Sequence, residues 1–296
     1  MSDLKIYEEM TIGVVGAGFV GKATSLFKGS SINSLVYDLE KEKCSPEVSQ
    51  LSDLKECDLV FICLPTPMNE DGACHTKIIE DCILDLEKAG IDKEDIIVRS
   101  TVPVGFCELN QVHHMPEFLT ERNWKNDFKE CELRLLGIAS FKQYGVSVLN
   151  HPTINKVRNL LELAKKDGAI ESKEIEFCTC DLAETTKHVR NCFLAVKISF
   201  FNEVAAFCKA NEITYSSLEK LVKYDNRIGN THTSVPGKDG HRGFGGTCFP
   251  KDISSFIKQF EAKNVECLIM KAAQERNDNI DRPEKDWKND KGRAVI

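Results

Sequence analysis

A glycine pattern near the start constrains the fold more than anything else in these 296 residues. Thr11-Ile12-Gly13-Val14-Val15 is a short β-type run. Gly16-Ala17-Gly18-Phe19-Val20-Gly21 follows it directly, ahead of a helix-compatible stretch to about Phe27. In a strand–turn–helix unit the first glycine makes the tight turn, the second admits a pyrophosphate, and the third lets helix and strand pack closely. A second β-type run, Ser34-Leu35-Val36-Tyr37, ends at Asp38, 22 residues after Gly16. An acid at that place accepts hydrogen bonds from an adenosine ribose and repels a 2′-phosphate. The pattern therefore predicts NAD as cofactor, bound through Gly16, Gly18, Gly21 and Asp38. Further β-type runs at 58–64, 95–99, 132–137 and 174–178 alternate with helix-compatible stretches at 76–89 and 151–166. That alternation predicts an α/β fold, a Rossmann-like doubly wound parallel sheet. Thr66 and Thr101 stand at the carboxyl ends of two of those runs, where open α/β sheets bind ligands.

Composition narrows the class. The net charge is −7 and no basic stripe occurs, which excludes a nucleic-acid partner. No apolar run approaches the length of a membrane span, so no membrane association is expected. The first ten residues, MSDLKIYEEM, are polar and acidic, unlike a secretory signal. The 13 cysteines form no small-domain framework and read as reduced thiols in a cytoplasmic protein. Cys178 and Cys180 lack a second pair at zinc-ligand spacing, so no metal is expected.

The second half is organised differently. No proline or glycine occurs from Leu182 to Asn211, and Val189, Phe193, Val196, Phe200, Val204 and Phe207 recur every three or four residues. This predicts one long helix that bridges domains or builds an oligomer core. Lys187, Asn191 and Asn202 fall on one stripe of it and can present an ammonium and an amide to a ligand. A long loop, 225–246, contains Arg227 and a Gly-Lys-Asp-Gly turn, and delivers Gly243-Phe244-Gly245-Gly246-Thr247-Cys248-Phe249-Pro250-Lys251-Asp252. A thiol after a glycine run is placed to attack an electrophile, and a neighbouring lysine favours the thiolate. With Pro250 in the first turn of a helix, Cys248 stands at its positive end and Asp252 lies one turn on. Glu117 and Glu121 are four residues apart after Pro116; on a helix both would face one side. The expected organisation is a dinucleotide-binding domain at 1–180, a mainly helical domain with a long central helix at 181–280, and a polar tail at 281–296.

The pieces GVVGAGFVG, VYD, FICLPTPMNEDG, RSTVPVG, MPEFLTE, KHVRNCFLAVKISFFNE, RIG and GFGGTCFPKD run in this order. Over about residues 11–280 the chain resembles the UDP-glucose/GDP-mannose dehydrogenase family, which oxidises a sugar 6-hydroxyl to a carboxylate. The resemblance implies a four-electron oxidation of UDP-glucose to UDP-glucuronate with two turns of NAD; a homodimer built on the long helix is expected. Asp252, with a water near Thr101, would take the hydroxyl proton. Cys248 would capture the aldehyde as a thiohemiacetal that becomes a thioester, and water assisted by Glu121 would release the acid. Lys187 and Asn191 would stabilise the oxyanion. By matched position Gly16, Gly18, Phe19, Val20, Gly21, Asp38, Lys43, Thr66, Thr101, Glu121 and Lys251 would touch the cofactor. Glu117, Phe118, Leu119, Glu121, Lys187, Asn191, Gly237, Lys238, Asp239, Gly240, His241 and Gly245 would touch the sugar nucleotide, with Arg227 a further phosphate or sugar ligand. The last residues, Gly292-Arg293-Ala294-Val295-Ile296, resemble the start of the family's third domain. That domain is expected to be absent, which would raise the substrate KM, require a partner or change the substrate. Three alternatives stand beside this reading. One is a 6-dehydrogenase of GDP-mannose or UDP-N-acetylmannosamine. The others are a two-electron hydroxyacid dehydrogenase, and a non-catalytic nucleotide-binding protein.

Overall fold

Almost continuously buried β-type runs determine the first half of the chain. The computed structural model describes residues 8–140 and 151–296; the reading of residues 1–7 as no secretory signal lies outside them. The described chain divides into two units: one holds residues up to Thr66 together with Thr76–Lys187, the other Pro67–His75 together with His188–Ile296.

The first unit is a seven-stranded sheet in the order β2-β1-β3-β4-β5-β6-β7. Its strands are β1 (Met10–Val15), β2 (Ile32–Tyr37), β3 (Leu59–Ile62), β4 (Ile96–Val98), β5 (His113–His114), β6 (Arg134–Ile138) and β7 (Ile175–Thr179). All neighbours are parallel except β5 and β6. Strand β3 is buried along its whole length. Leu59 and Phe61 join one core with Ile12, Val14 and the helix α5 (Pro152–Lys166). Val60 and Ile62 join the other with Val98 and the helix α2 (Lys77–Lys88). A strand apolar on both faces must be covered on both, as the doubly wound expectation requires. The short helices α1 (Phe19–Thr24), α3 (Phe106–Asn110) and α4 (Trp124–Lys129) complete this unit. The two-residue strand β5 carries no periodic signal, and the sequence reading missed it.

The helix α6 (Cys180–Ala210) runs 31 residues, as its unbroken pattern predicts. Its first two turns count with the first unit and the remainder with the second. By length and composition it would qualify as a membrane span, with a mean hydropathy of 1.3 over 18 residues. That corrects the expectation that no apolar run approaches such a length. The recurring aromatic stripe is its outward face: Val189, Phe193, Phe200 and Phe207 are all more than half exposed, while Cys192, Ala195 and Ala205 are buried.

The second unit adds α7 (Tyr215–Val222), α8 (Phe249–Ala262) and α9 (Leu268–Arg276). Its core joins Cys192 and Ala195 of α6 to Phe244, Ile253, Phe256 and Ala273. Residues 281–296, read as a polar tail, are folded into this unit. Trp287 and Ala294 are buried, and Val295 bridges Met68 in parallel.

Candidate functional site

In the first unit each glycine of the turn does a distinct job. Gly16 has φ 95°, and a Cβ there would stand 2.8 Å from the Cys63 carbonyl oxygen. A Cβ on Gly21 would overlap the Gly16 carbonyl, whereas one on Gly18 would meet nothing within 4 Å. The turn is therefore tight, closely packed by its helix and open on the side of Gly18, which fits a pyrophosphate. Asp38, at the end of β2, accepts the Ala17 N–H at 2.7 Å, so its carboxylate is fixed beside that turn. Phe19 and Val20 open α1 and are half-buried, Val20 against the core. Lys43 is paired with Glu40 at the surface.

The loops after β3 and β4 are tied together. Thr66 is buried and donates to the Thr101 carbonyl at 2.8 Å, and Ser100 donates to the Leu64 carbonyl at 2.6 Å. After β5, residues 115–120 form no helix. Pro116 has no N–H to give, and the Glu117 carboxylate instead accepts the Leu119 N–H at 2.6 Å. Glu117 is buried and Glu121 exposed, so the one-faced carboxylate pair does not form. Glu117 is matched by Lys187 of α6, whose ammonium donates to its carboxylate at 2.7 Å and its carbonyl at 2.6 Å. The Phe118 ring lies 5.8 Å from that ammonium.

In the second unit Cys248 is the N-cap of α8, with Pro250 in the first turn, as expected. The unpaired N–H groups of a helix start favour an anion there. Asp252 is buried and central: its two oxygens accept from Asn191 Nδ2 and Lys251 Nζ, each at 2.6 Å. Burial opposes the Lys251 charge, but Asp252, Cys74 and Cys248 outweigh it and raise the ammonium above its usual range. Asn202, on the same helix, accepts the Gly243 N–H at 3.2 Å and so serves the glycine run.

The remaining predicted contacts have other partners. Arg227 is 90% exposed and held by Asp225. Gly237–His241 is a turn closed by Gly237 N–H to the His241 carbonyl at 2.7 Å. Asp239 accepts from Arg282 at 2.7 Å, His241 faces Glu284, and Lys238 and Gly240 are exposed. A Cβ on Gly245 would strike the Arg282 guanidinium. Sequence reasoning missed Arg282, taken as tail, and Asn277, which exchanges hydrogen bonds with the Phe244 backbone at 2.7 and 3.0 Å. It also missed Glu184, a buried acid one turn before Lys187 whose only signal is that spacing.

These features agree with known proteins. Residues 37–150 match the NAD-binding domain, and residues 181–279 the central domain, of the UDP-glucose/GDP-mannose dehydrogenase family. YtcA of Bacillus subtilis is 28% identical over 91% of this chain and 68% of its own. The UDP-glucose 6-dehydrogenase of Pseudomonas aeruginosa is 27% identical over 90% of this chain and 65% of its own. The chain thus spans about two thirds of the length of these relatives. In fold it is similar to a UDP-glucose dehydrogenase of Pyrobaculum islandicum, with a TM-score of 0.74 and 22% identity over 92% of this chain and 69% of that one. It is likewise similar to a UDP-D-ManNAc dehydrogenase of Pyrococcus horikoshii, with a TM-score of 0.72 and 20% identity over 91% of this chain and 68% of that one. With both domain matches in chain order, on a sheet and a long helix of the same fold, the chain belongs to the UDP-glucose/GDP-mannose dehydrogenase family.

Proposed function

We propose that the chain is an NAD-dependent sugar-nucleotide 6-dehydrogenase acting on UDP-glucose, with Cys248 as covalent nucleophile. The observation that carries this reading is the cluster at the start of α8. Cys248 caps the helix, and Asp252 is hydrogen-bonded to both Asn191 and Lys251. NAD, when bound, would supply the hydride acceptor in each of the two oxidations. Asp252 would take the proton of the 6-hydroxyl as the alcohol becomes an aldehyde. The Cys248 thiolate would then form a C–S bond to the aldehyde carbon, its oxygen keeping the electron pair, to give a thiohemiacetal. The Asn191 amide, fixed on Asp252, would be a donor for that oxyanion. Loss of hydride would leave a thioester, and water would break the C–S bond, returning the thiol and releasing the carboxylate. Lys187, Thr101 and Glu121 keep the roles the family resemblance implies. Covalent capture retains the aldehyde, which a two-electron enzyme has no need to do.

The test is NADH yield from limiting UDP-glucose with excess NAD. Two NADH per sugar is expected. One per sugar would sink the thioester route. None with UDP-glucose, but two with GDP-mannose or UDP-N-acetylmannosamine, would reassign the substrate; none with any would leave a non-catalytic protein.

A cytoplasmic homodimer is part of the same proposal. The 13 cysteines, none joined in a disulfide, support a reducing compartment. The exposed stripe Val189, Phe193, Phe200 and Phe207 on α6 supports pairing with a second copy, since a two-fold interface sets one patch against itself. Phe193→Glu should shift sedimentation to the monomer; an unchanged dimer would refute this interface.

A further inference from the structure

We propose that Glu184 is a positioning residue for the loop after β4: its carboxylate fixes the backbone at Gly105 and Cys107, and so holds Thr101 in place for the cofactor. This rests on the dehydrogenase reading above. Glu184 is fully buried and accepts the N–H of Gly105 at 2.5 Å and of Cys107 at 2.8 Å. Gly105 is the N-cap of α3 and has φ 93°, so it brings no side chain to cap that helix. Glu184 supplies the missing acceptor from another element, satisfying two donors at once.

The other end of the same loop is anchored by Ser100 on the Leu64 carbonyl and by Thr66 on the Thr101 carbonyl. Only Val102, Pro103 and Val104 lie between Thr101 and the Glu184 clamp, and Pro103 has one soft backbone angle fewer than its neighbours. A shift at Gly105 is therefore passed to Thr101 with little slack. Lys187, one turn along the same helix, holds Glu117 in the same manner. The chemical steps proposed above give Glu184 nothing to do, so its burial needs another reason.

Burial pushes the Glu184 carboxyl up to about 7, against the pull of the two N–H groups. The ionisable groups facing it are the Cys107 thiol of α3 and the Cys180 thiol and Asp181 of its own helix. Burial raises both thiols well above their usual range, so they stay neutral where Glu184 titrates. The charged carboxylate is the stronger acceptor for both N–H groups.

The test uses the full chain and fluorescence titration with NADH, which requires no turnover, from pH 6 to 8.5. Wild-type affinity should fall several-fold as the pH drops through neutrality. Glu184→Gln should bind NADH about tenfold more weakly at pH 8 and lack that pH component, because a neutral acceptor replaces a charged one. A folded Glu184→Gln protein with wild-type affinity and pH profile overturns the proposal, as does a lower Tm with unchanged affinity. If this variant does not fold, amide exchange in the wild type decides. Protection of Gly105 and Cys107 should rise when NADH is bound, and protection unchanged by NADH overturns the proposal. A wild type that binds no NADH overturns the dehydrogenase reading and this proposal with it. Binding without sugar-nucleotide turnover sinks only the former.

Discussion

Removing Lys187 should destabilise the first unit far more than removing the ion pair it forms. Lys187 and Glu117 are 4% and 6% exposed in their side chains, with Nζ and Oε1 2.7 Å apart. Lys187→Met leaves the Glu117 carboxylate buried with the Leu119 N–H and without its charged partner. Stranding a buried charge costs about 3–5 kcal/mol, whereas replacing a whole buried pair by neutral groups of similar size is close to neutral. The double variant Lys187→Met/Glu117→Gln should therefore recover all but about 1 kcal/mol. Urea unfolding followed by tryptophan fluorescence can measure this, since Trp124 lies in the first unit and Trp287 in the second. A Trp287→Phe background isolates the Trp124 signal, needed because a two-unit chain is not a two-state system. With a urea slope of about 2 kcal/mol per M, the single variant should lose roughly 2 M in midpoint. A single variant costing under about 1 kcal/mol, or a double variant as unstable as the single one, would refute the reasoning. Activity should stay low in both, which separates the stabilising role of Lys187 from its proposed chemical one.

Other outcomes follow from single contacts. Gly21→Ala drives a methyl group into the Gly16 carbonyl and should cost about 1–3 kcal/mol, with loss of NADH binding seen by titration. Cys248→Ser should lower the NADH yield from two to no more than one per sugar; an unchanged yield would remove the covalent step. Glu184 predicts a pH effect on stability with a definite sign. Its folded pKa, about 7 through burial, lies above its ordinary value of 4.5. Its stabilising contribution is thus complete below pH 4.5 and lost as the pH rises through 7. Relative to Glu184→Gln, the wild type should lose roughly 3 kcal/mol between those limits in paired denaturation curves. A pH-independent difference would show that burial does not shift this group.

What could be read from the sequence is what local spacing encodes. Gly16, Gly18 and Gly21 have roles set by three fixed positions in one turn, and each has the surroundings that role requires. The α6 helix and the N-cap place of Cys248 likewise follow from short-range pattern. The carboxylates after Pro116 went differently, because helix spacing was applied to a segment whose shape is set by Lys187, seventy residues away. The polar tail was misread for a related reason: charge suggests solvent, yet Arg282 is buried between Asp239 and Asp286. Glu184 left no local trace beyond its spacing from Lys187, since its partners lie 77 and 79 residues distant. Long-range polar contacts between single residues have no period, so no window of sequence contains them.

That limit explains why one helix carries so many of these contacts. In a loop that presents Thr101, Glu117 or Gly243, fixing each residue's backbone costs about 1–2 kcal/mol. A helix has already fixed its backbone through its own hydrogen bonds. Its side chains can therefore restrain a loop at the cost of their own rotamers alone. On α6, Glu184 and Lys187 hold the loops after β4 and β5 in the first unit. Asn191 and Asn202 hold Asp252 and the glycine run in the second. The four positions turn polar atoms inward among the buried Cys192, Ala195 and Ala205, while Phe193, Phe200 and Phe207 face out. Such a helix is stable only if its buried polar atoms are bonded and its exposed apolar stripe is covered. The first condition is met by the contacts above, and the second is what a paired copy would supply.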